Sequence, residues 1–482
     1  MKRRDFLATL AASGLAIGFG GCSKGNADTT DPLTTSPAGP ATRGRPTFAV
    51  KPHPLPSFEV EAGRLTQATM DVFWDKNSKM FRAPVLSSET ISSDATHDRG
   101  ETLWPSLIGM QALVEGERAH PGRFTAQIAT VFDGLEQYYS ENLHAYTSWV
   151  QFPGNNDAYY DDNSWVVIAF TEAALVCRKT DPKKSAQYLG RAQTVMADYI
   201  VKGYDTSNNP GGMRWGTDTS KANTSDRGTS STAGAALAAL MMARAGVNTA
   251  FYTKWGNDVL TWLMTHMLDK DDLVMDALAP PKWEVRPVKW TYNTGVPMRA
   301  YVEHYRLTKS QNSLQMATKL ARAALDQNQG LFDRKVTDPN KRVYWDSVYF
   351  VHYLVDGLLQ VAQVTPDTKL AADARATARA TALYVQTYLQ DPADGFYWRN
   401  LRLYTIDDAH LAAWEKWSGQ TTAPEFDESE RSKEARFQSQ PVKDRPLVKT
   451  LLANGGAARL FWMVAAVPVA PLSTPIKPAS KR

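Results

Sequence analysis

The sequence predicts an all-α protein, a single-domain (α/α)6 toroid of alternating inner and outer helices. Three observations carry that expectation: a helical period through most of the chain, two kinds of helix that differ in how much of their surface is apolar, and strict alternation of the two kinds. The chain of 482 residues is 43% hydrophobic and holds 14 Trp and 19 Tyr, enough apolar matter for a large core. Lysine and arginine number 54 against 50 acidic residues, a net charge of +4 with no long run of one sign. Such a balance gives a phosphate backbone nothing to follow, so nucleic acid is not an expected partner.

Taken in order, the chain opens on a targeting pattern. Met1-Lys2-Arg3-Arg4 precedes an apolar stretch shorter than the ~20 residues of a spanning helix, and small residues follow up to Cys22, which reads as a signal peptide over 1–21. Arg3-Arg4 with Phe6-Leu7 resembles a twin-arginine export signal, and Phe19-Gly20-Gly21-Cys22 resembles a lipoprotein cleavage box. Cys22 is then the expected lipidated first residue of the mature chain, with a membrane as its partner and the periplasmic face or cell surface as its location. Residues 22–56 are rich in Pro and Thr and read as an extended tether, 57–466 as the folded domain, and 467–482 as a Pro-rich tail. With Cys22 lipidated, Cys177 stands alone, so no internal disulfide is expected; its apolar helical setting reads as that of a small buried hydrophobe.

Amphipathic helices are expected near 58–75, 123–140, 185–201, 249–268, 311–327 and 369–390. The second of these shows the pattern well: Phe124, Ile128, Val131, Phe132, Leu135 and Tyr138 fall on one face. Helices apolar nearly all round are expected near 103–115, 161–177, 231–246, 294–308, 346–362 and 449–465; Trp165–Phe170 and Ala235–Met242 are examples. An inner ring within an outer ring needs this alternation. The inner helices then run parallel, so the segments leading into them meet at one mouth, where a site is expected. Those segments hold Trp149 to Tyr160, Gly211-Gly212-Met213-Arg214-Trp215, Trp290-Thr291-Tyr292-Asn293 and Tyr344-Trp345. The charged stretch 391–446 is expected to form a lid or rim.

Tyr159-Tyr160-Asp161-Asp162-Asn163-Ser164-Trp165 sets two carboxylates side by side where an apolar helix begins. Asp and Asn before an apolar run also make an ordinary helix start, which favours negative charge. Crowded aromatics and a helix too apolar to be exposed favour chemistry instead. Like charges in a confined site raise the proton affinity of one of them, so a proton donor and an ionised carboxylate coexist.

Tyr-Asp-Asp with Trp165 downstream, Gly211-Gly212-x-x-Trp215 and Tyr292-Asn293-x-Gly295 together resemble, in order and spacing, the signatures of glycoside hydrolase family 76. The resemblance runs over roughly 58–465. It implies an (α/α)6 fold and endo-hydrolysis of α-1,6-linked mannan with retention, with Asp161 as nucleophile and Asp162 as general acid/base. The expected substrate contacts are Tyr160, Trp165, Arg214, Trp215, Tyr292 and Asn293: flat aromatic faces suit a pyranose ring, with Trp215 and Tyr292 the first choices, while Arg214 and Asn293 are placed to bond sugar hydroxyls, Asn293 serving equally well as a helix cap. The chain departs from the usual pattern at Val166, Arg214 and Thr294, positions expected to lie where sugar is held. The expected partner is a polysaccharide, and neither cofactor nor metal is expected: there is no His-Glu-x-x-His pair, and the acidic run Asp269–Asp272 lacks the glycine and closing glutamate of a calcium loop. The alternative reading is a glycan-binding surface lipoprotein of the same fold without turnover.

Overall fold

The computed structural model describes residues 55–82, 85–86, 100–207 and 209–467. The signal peptide, Cys22, nearly all of the tether and the Pro-rich tail fall outside the described residues.

Among the described residues the outer helices are α1 (Phe58–Phe73), α3 (Thr125–Leu135), α5 (Pro182–Val195), α7 (Thr249–Met267), α9 (Gln311–Leu325) and α11 (Thr368–Tyr388). The inner helices are α2 (Leu103–Ala119), α4 (Tyr160–Cys177), α6 (Thr229–Arg244), α8 (Thr291–Thr308), α10 (Val348–Val364) and α13 (Leu451–Ala465). Each inner helix packs on the next, and α13 packs back on α2, so the inner ring closes. Each outer helix lies against the inner helix beside it. This is the expected toroid.

The two rings differ in how their helices begin. Ser57, Asp181, Ser310 and Asp367 cap four outer helices by accepting a backbone N–H three residues on, with Pro182 pre-set at the first position of α5. Five inner helices have no such bond from their own cap residue, and Thr450 of α13 is the exception. The positive ends of six helix dipoles thus gather where the inner helices start, which favours carboxylates there.

Glycines set how closely the inner ring draws together. A Cβ on Gly295 would stand 2.5 Å from Leu354 Cα and 2.6 Å from the Tyr353 carbonyl, so α8 and α10 approach at backbone distance. Gly357 answers from the other helix, where an added Cβ would stand 2.5 Å from the Gly295 carbonyl. Cys177 is buried and unpaired at the end of α4.

Deep in the ring lies a charged plug that no periodicity announces. Arg299 bonds Glu172 and Asp356, each at 2.5 Å; Arg459 bonds Asp356 at 2.8 Å and His352 Nδ1 at 2.9 Å. All five side chains are buried. They come from α4, α8, α10 and α13, and Glu172 lies ten residues beyond Asp162, about 15 Å down the helix. The two arginines hold Asp356 well below the usual carboxylate range against the opposing effect of burial, while burial, with Arg459 beside it, keeps His352 neutral. A closed ion network of this kind fixes register at a substantial desolvation cost.

Residues 391–446 carry short 3-10 turns and one helix, α12 (Asp408–Ser418). Asn400 ties the segment to the start of α10, accepting from Ser347 Oγ at 2.9 Å and bonding Glu430 and Asp427 in turn. It is a fixed rim. The acidic run 269–272 is neutralised by lysines, Lys289 on Asp269 and Asp271 and Lys319 on Asp272.

Candidate active site

The segments leading into α4, α6 and α8 are stitched together at the backbone. The Tyr160 N–H donates to the Trp215 carbonyl (2.9 Å), the Trp215 N–H to the Asp226 carbonyl (2.9 Å), and the Thr229 N–H to the Asp276 carbonyl (2.7 Å). The glycine pair before Trp215 has a steric cause. Both have positive φ, at 75° and 83°, and a Cβ on Gly212 would stand 2.5 Å from the Trp262 ring. Trp262 is itself fixed by donating to the Pro210 carbonyl at 2.7 Å.

This stitching sets Asp161 and Asp162 at the floor of a pocket lined by Trp104, Trp165, Ser230, Tyr292, Phe350 and Tyr353. Asp161, Asp162 and Trp165 share one face of α4 because residues three and four apart are neighbours on a helix. Trp165 stacks on Tyr353 with centroids 4.5 Å apart, and Tyr292 packs on Phe350 at 4.7 Å. The cavity therefore has flat aromatic sides and an acidic floor.

The two carboxylates are treated differently. Asp161 Oδ2 accepts from Trp215 Nε1 (2.9 Å) and Ser230 Oγ (3.0 Å), and its Oδ1 accepts from the Asp162 N–H (2.9 Å). Burial pushes its carboxyl up to about 6, and these donors hold it there rather than higher. For Asp162 burial, then the charge of Asp161 and then that of Asp157 all act upward, and no hydrogen bond opposes them. Asp162 retains its proton at a pH where Asp161 has lost its own. The pair titrates as a unit, and its first proton leaves from Asp161.

Sequence reasoning missed Trp104, Ser230, Phe350 and Tyr353. The first three sit in the opening turns of α2, α6 and α10, so asking what each inner helix places at its start finds them; Tyr353 follows one turn after Tyr349. A third carboxylate, Asp276, was missed too. Burial lifts it to about 6, and Asn293 Nδ2 donates to it at 3.4 Å.

Three expectations are corrected: those for Asn293, for Tyr160 and for the departures from the family pattern. Asn293 is fully buried and its amide faces Asp276, so it offers no surface to a sugar. Tyr160 is the first residue of α4 and turns away from Asp161 to stack on Tyr199, 4.6 Å between centroids and 14° between planes. Arg214, next to Trp215, is half-buried and pairs through its backbone with Arg227. Of the departures expected at sugar contacts, Val166 and Thr294 are wholly buried, and Thr294 Oγ1 accepts from the Val274 N–H at 3.2 Å. Trp165, Trp215 and Tyr292 do border the acidic floor.

A closed helical toroid with an aromatic pocket over two differently charged carboxylates is built to handle a glycosidic bond. The chain belongs to glycosyl hydrolase family 76, whose sequence profile matches residues 58–429. It is 28% identical over 419 residues to the meiotically up-regulated gene 191 protein of Schizosaccharomyces pombe, covering 84% of this chain and 92% of that one. In fold it is similar to a family 76 α-mannanase of Bacteroides thetaiotaomicron (TM-score 0.64, 15% identity, 85% of this chain and 96% of that one). It is also similar to an inactive variant of the family 76 α-1,6-mannanase of Salegentibacter sp. in complex with α-1,6-mannotriose (TM-score 0.58, 16% identity, 85% and 99% covered). Two consecutive aspartates are changed to asparagine in that variant.

Proposed function

We propose that this protein is a retaining endo-glycosidase that hydrolyses α-1,6-linked mannan or a related mannose polymer. The unequal hydrogen bonding of the Asp pair carries the reading. Asp161, held by three donors, is the group that ionises, and Asp162, which receives none, is the group that keeps a proton to give. Asp161 attacks the anomeric carbon while Asp162 protonates the departing oxygen, which leaves a mannosyl ester on Asp161 and a carboxylate on Asp162. A water then gives its proton to Asp162 as its oxygen displaces Asp161 from carbon. Adjacent residues have Cα atoms about 3.8 Å apart, which suits the roughly 5–5.5 Å carboxyl separation of retention better than the wider inverting gap.

Family membership supports the reaction class, and the α-1,6-mannotriose complex of the Salegentibacter variant supports the linkage and the importance of an aspartate pair. Incubation with a panel of mannans and detection of new reducing ends tests it. Wild type is expected to release oligosaccharides from an α-1,6-linked backbone, and Asp161→Asn and Asp162→Asn to release none. Binding to mannan without release by wild type would support the glycan-binding alternative instead.

The proposed place of action is outside the cytoplasm, on a lipid carried by Cys22. Cys22→Ala is expected to move the exported protein from the membrane fraction to the soluble one; continued partition with membranes would overturn the anchor.

A further inference from the structure

We propose that Ser230 is a positioning residue for the second half of the reaction, anchoring Asp161 Oδ2 so that Oδ1 makes and breaks the bond to the sugar. The inference rests on the retaining reading above and adds to it which oxygen reacts and what hastens its release.

Ser230 is the second residue of α6, a place where a serine commonly turns back on its own helix. Here its hydroxyl leaves the helix and donates 3.0 Å away to Asp161 Oδ2, across 69 residues of sequence. Its setting fixes that direction. Thr229 is locked on both sides, its N–H on the Asp276 carbonyl at 2.7 Å and its Oγ1 on the Met275 carbonyl at 2.6 Å. Arg227, two residues earlier, donates to the Gly211 carbonyl at 2.7 Å and to Asp205 at 3.0 Å. The segments that deliver Ser230 and Trp215 to one oxygen are therefore tied to each other.

With Trp215 Nε1 and Ser230 Oγ both on Oδ2, that oxygen has no free lone pair in the carboxylate plane. Oδ1 receives one N–H and retains a lone pair to attack with. After attack Oδ2 is the ester carbonyl, an uncharged and weaker acceptor. When water displaces the sugar, the electron pair of the C1–Oδ1 bond returns to Asp161, and both donors again face a full carboxylate. Their bonds strengthen as the leaving group departs, which is how fixed donors accelerate a step. In the first half-reaction the same donors lose charge to hold. Removing one should retard release of the sugar far more than its capture.

The test uses the full chain and an activated aryl α-mannoside, whose good leaving group makes hydrolysis of the intermediate the slow step. Ser230→Ala is expected to keep a rapid burst of aryl alcohol and to lower kcat roughly tenfold to a hundredfold, the range for a hydrogen bond to a charged group. KM should fall with kcat, and a mannosyl adduct on Asp161 should accumulate in intact-protein mass spectra. The acid limb of kcat/KM should move to higher pH. Ser230→Thr, which keeps the hydroxyl, should restore turnover, and Trp215→Phe should fall in the same direction as Ser230→Ala. If wild type forms the adduct but Ser230→Ala changes neither its lifetime nor the acid limb, the role assigned to Ser230 is wrong while the retaining reading stands. If wild type forms no adduct and releases inverted sugar, the retaining reading fails and this inference with it.

Discussion

Replacing Asp161 by Asn should stabilise the protein at neutral pH while abolishing its chemistry. The carboxyl is lifted from 3.8 to about 6, chiefly by burial, and that value already contains the help it receives from Ser230, Trp215 and the Asp162 amide. The folded state therefore holds its proton more tightly than the unfolded chain does. Stability contributed by this group is fully present below pH about 4, declines as pH rises, and is gone above about 6. A rise of about two units corresponds to about 3 kcal/mol lost by wild type at pH 7.5. Asparagine keeps the shape, accepts from Trp215 and Ser230 through its one oxygen, gives up the bond from the Asp162 N–H and never ionises. Relative to wild type, Asp161→Asn should thus gain about 3 kcal/mol of stability between pH 4 and pH 7.5 and be the more stable protein at the higher pH. Denaturant melts of both proteins at the two pH values measure the difference. A mutant less stable than wild type at pH 7.5, or stabilised equally at both, would refute the claim that Asp161 is a buried charge held against its solvation.

Other outcomes follow from the same geometry. The kcat/KM profile should rise through pH about 6 as Asp161 ionises and fall on the alkaline side as Asp162 loses its proton; Asp162→Asn should lose the alkaline limb on an activated substrate and regain turnover with azide, giving a retained product. Arg299→Met should cost about 3–5 kcal/mol by leaving Glu172 and Asp356 short of a partner, and adding Glu172→Gln should recover part of that loss; calorimetry of the two variants checks it. Gly212→Ala meets the Trp262 ring at 2.5 Å and a φ of 83°, so it should lower the melting temperature and, by displacing Trp215, also lower kcat.

The rings were legible because burial is written along each helix: Trp165–Phe170 can only be surrounded, while the stripe from Phe124 to Leu135 covers one side. The Asp pair was legible because its chemistry is local, two carboxylates where an apolar helix begins. What was hidden is non-local. Ser230 reaches Asp161 from 69 residues away and Arg299 reaches Glu172 across 127, so each looks in sequence like an unremarked polar residue; Trp215 was legible as an aromatic platform, but its bond to Asp161 across 54 residues was not. Tyr160 and Asn293 misled for a different reason. Each neighbours a pocket residue in sequence, but one step along a helix is about 100° of rotation, which turns both into the packed interior. The helical phase that groups Asp161 with Trp165 also excludes Tyr160, and applying it at every inner-helix start recovers Trp104, Ser230 and Phe350.

Asp161 and Asp162 are proposed to act as nucleophile and acid in a double displacement on α-mannan. Proton NMR of the first sugar ends released from α-1,6-mannan, recorded before mutarotation, tests it most directly. With a double displacement the α anomer forms first and relaxes toward the equilibrium mixture. Initial release of the β anomer would contradict it, because a single displacement by water needs no covalent bond to Asp161.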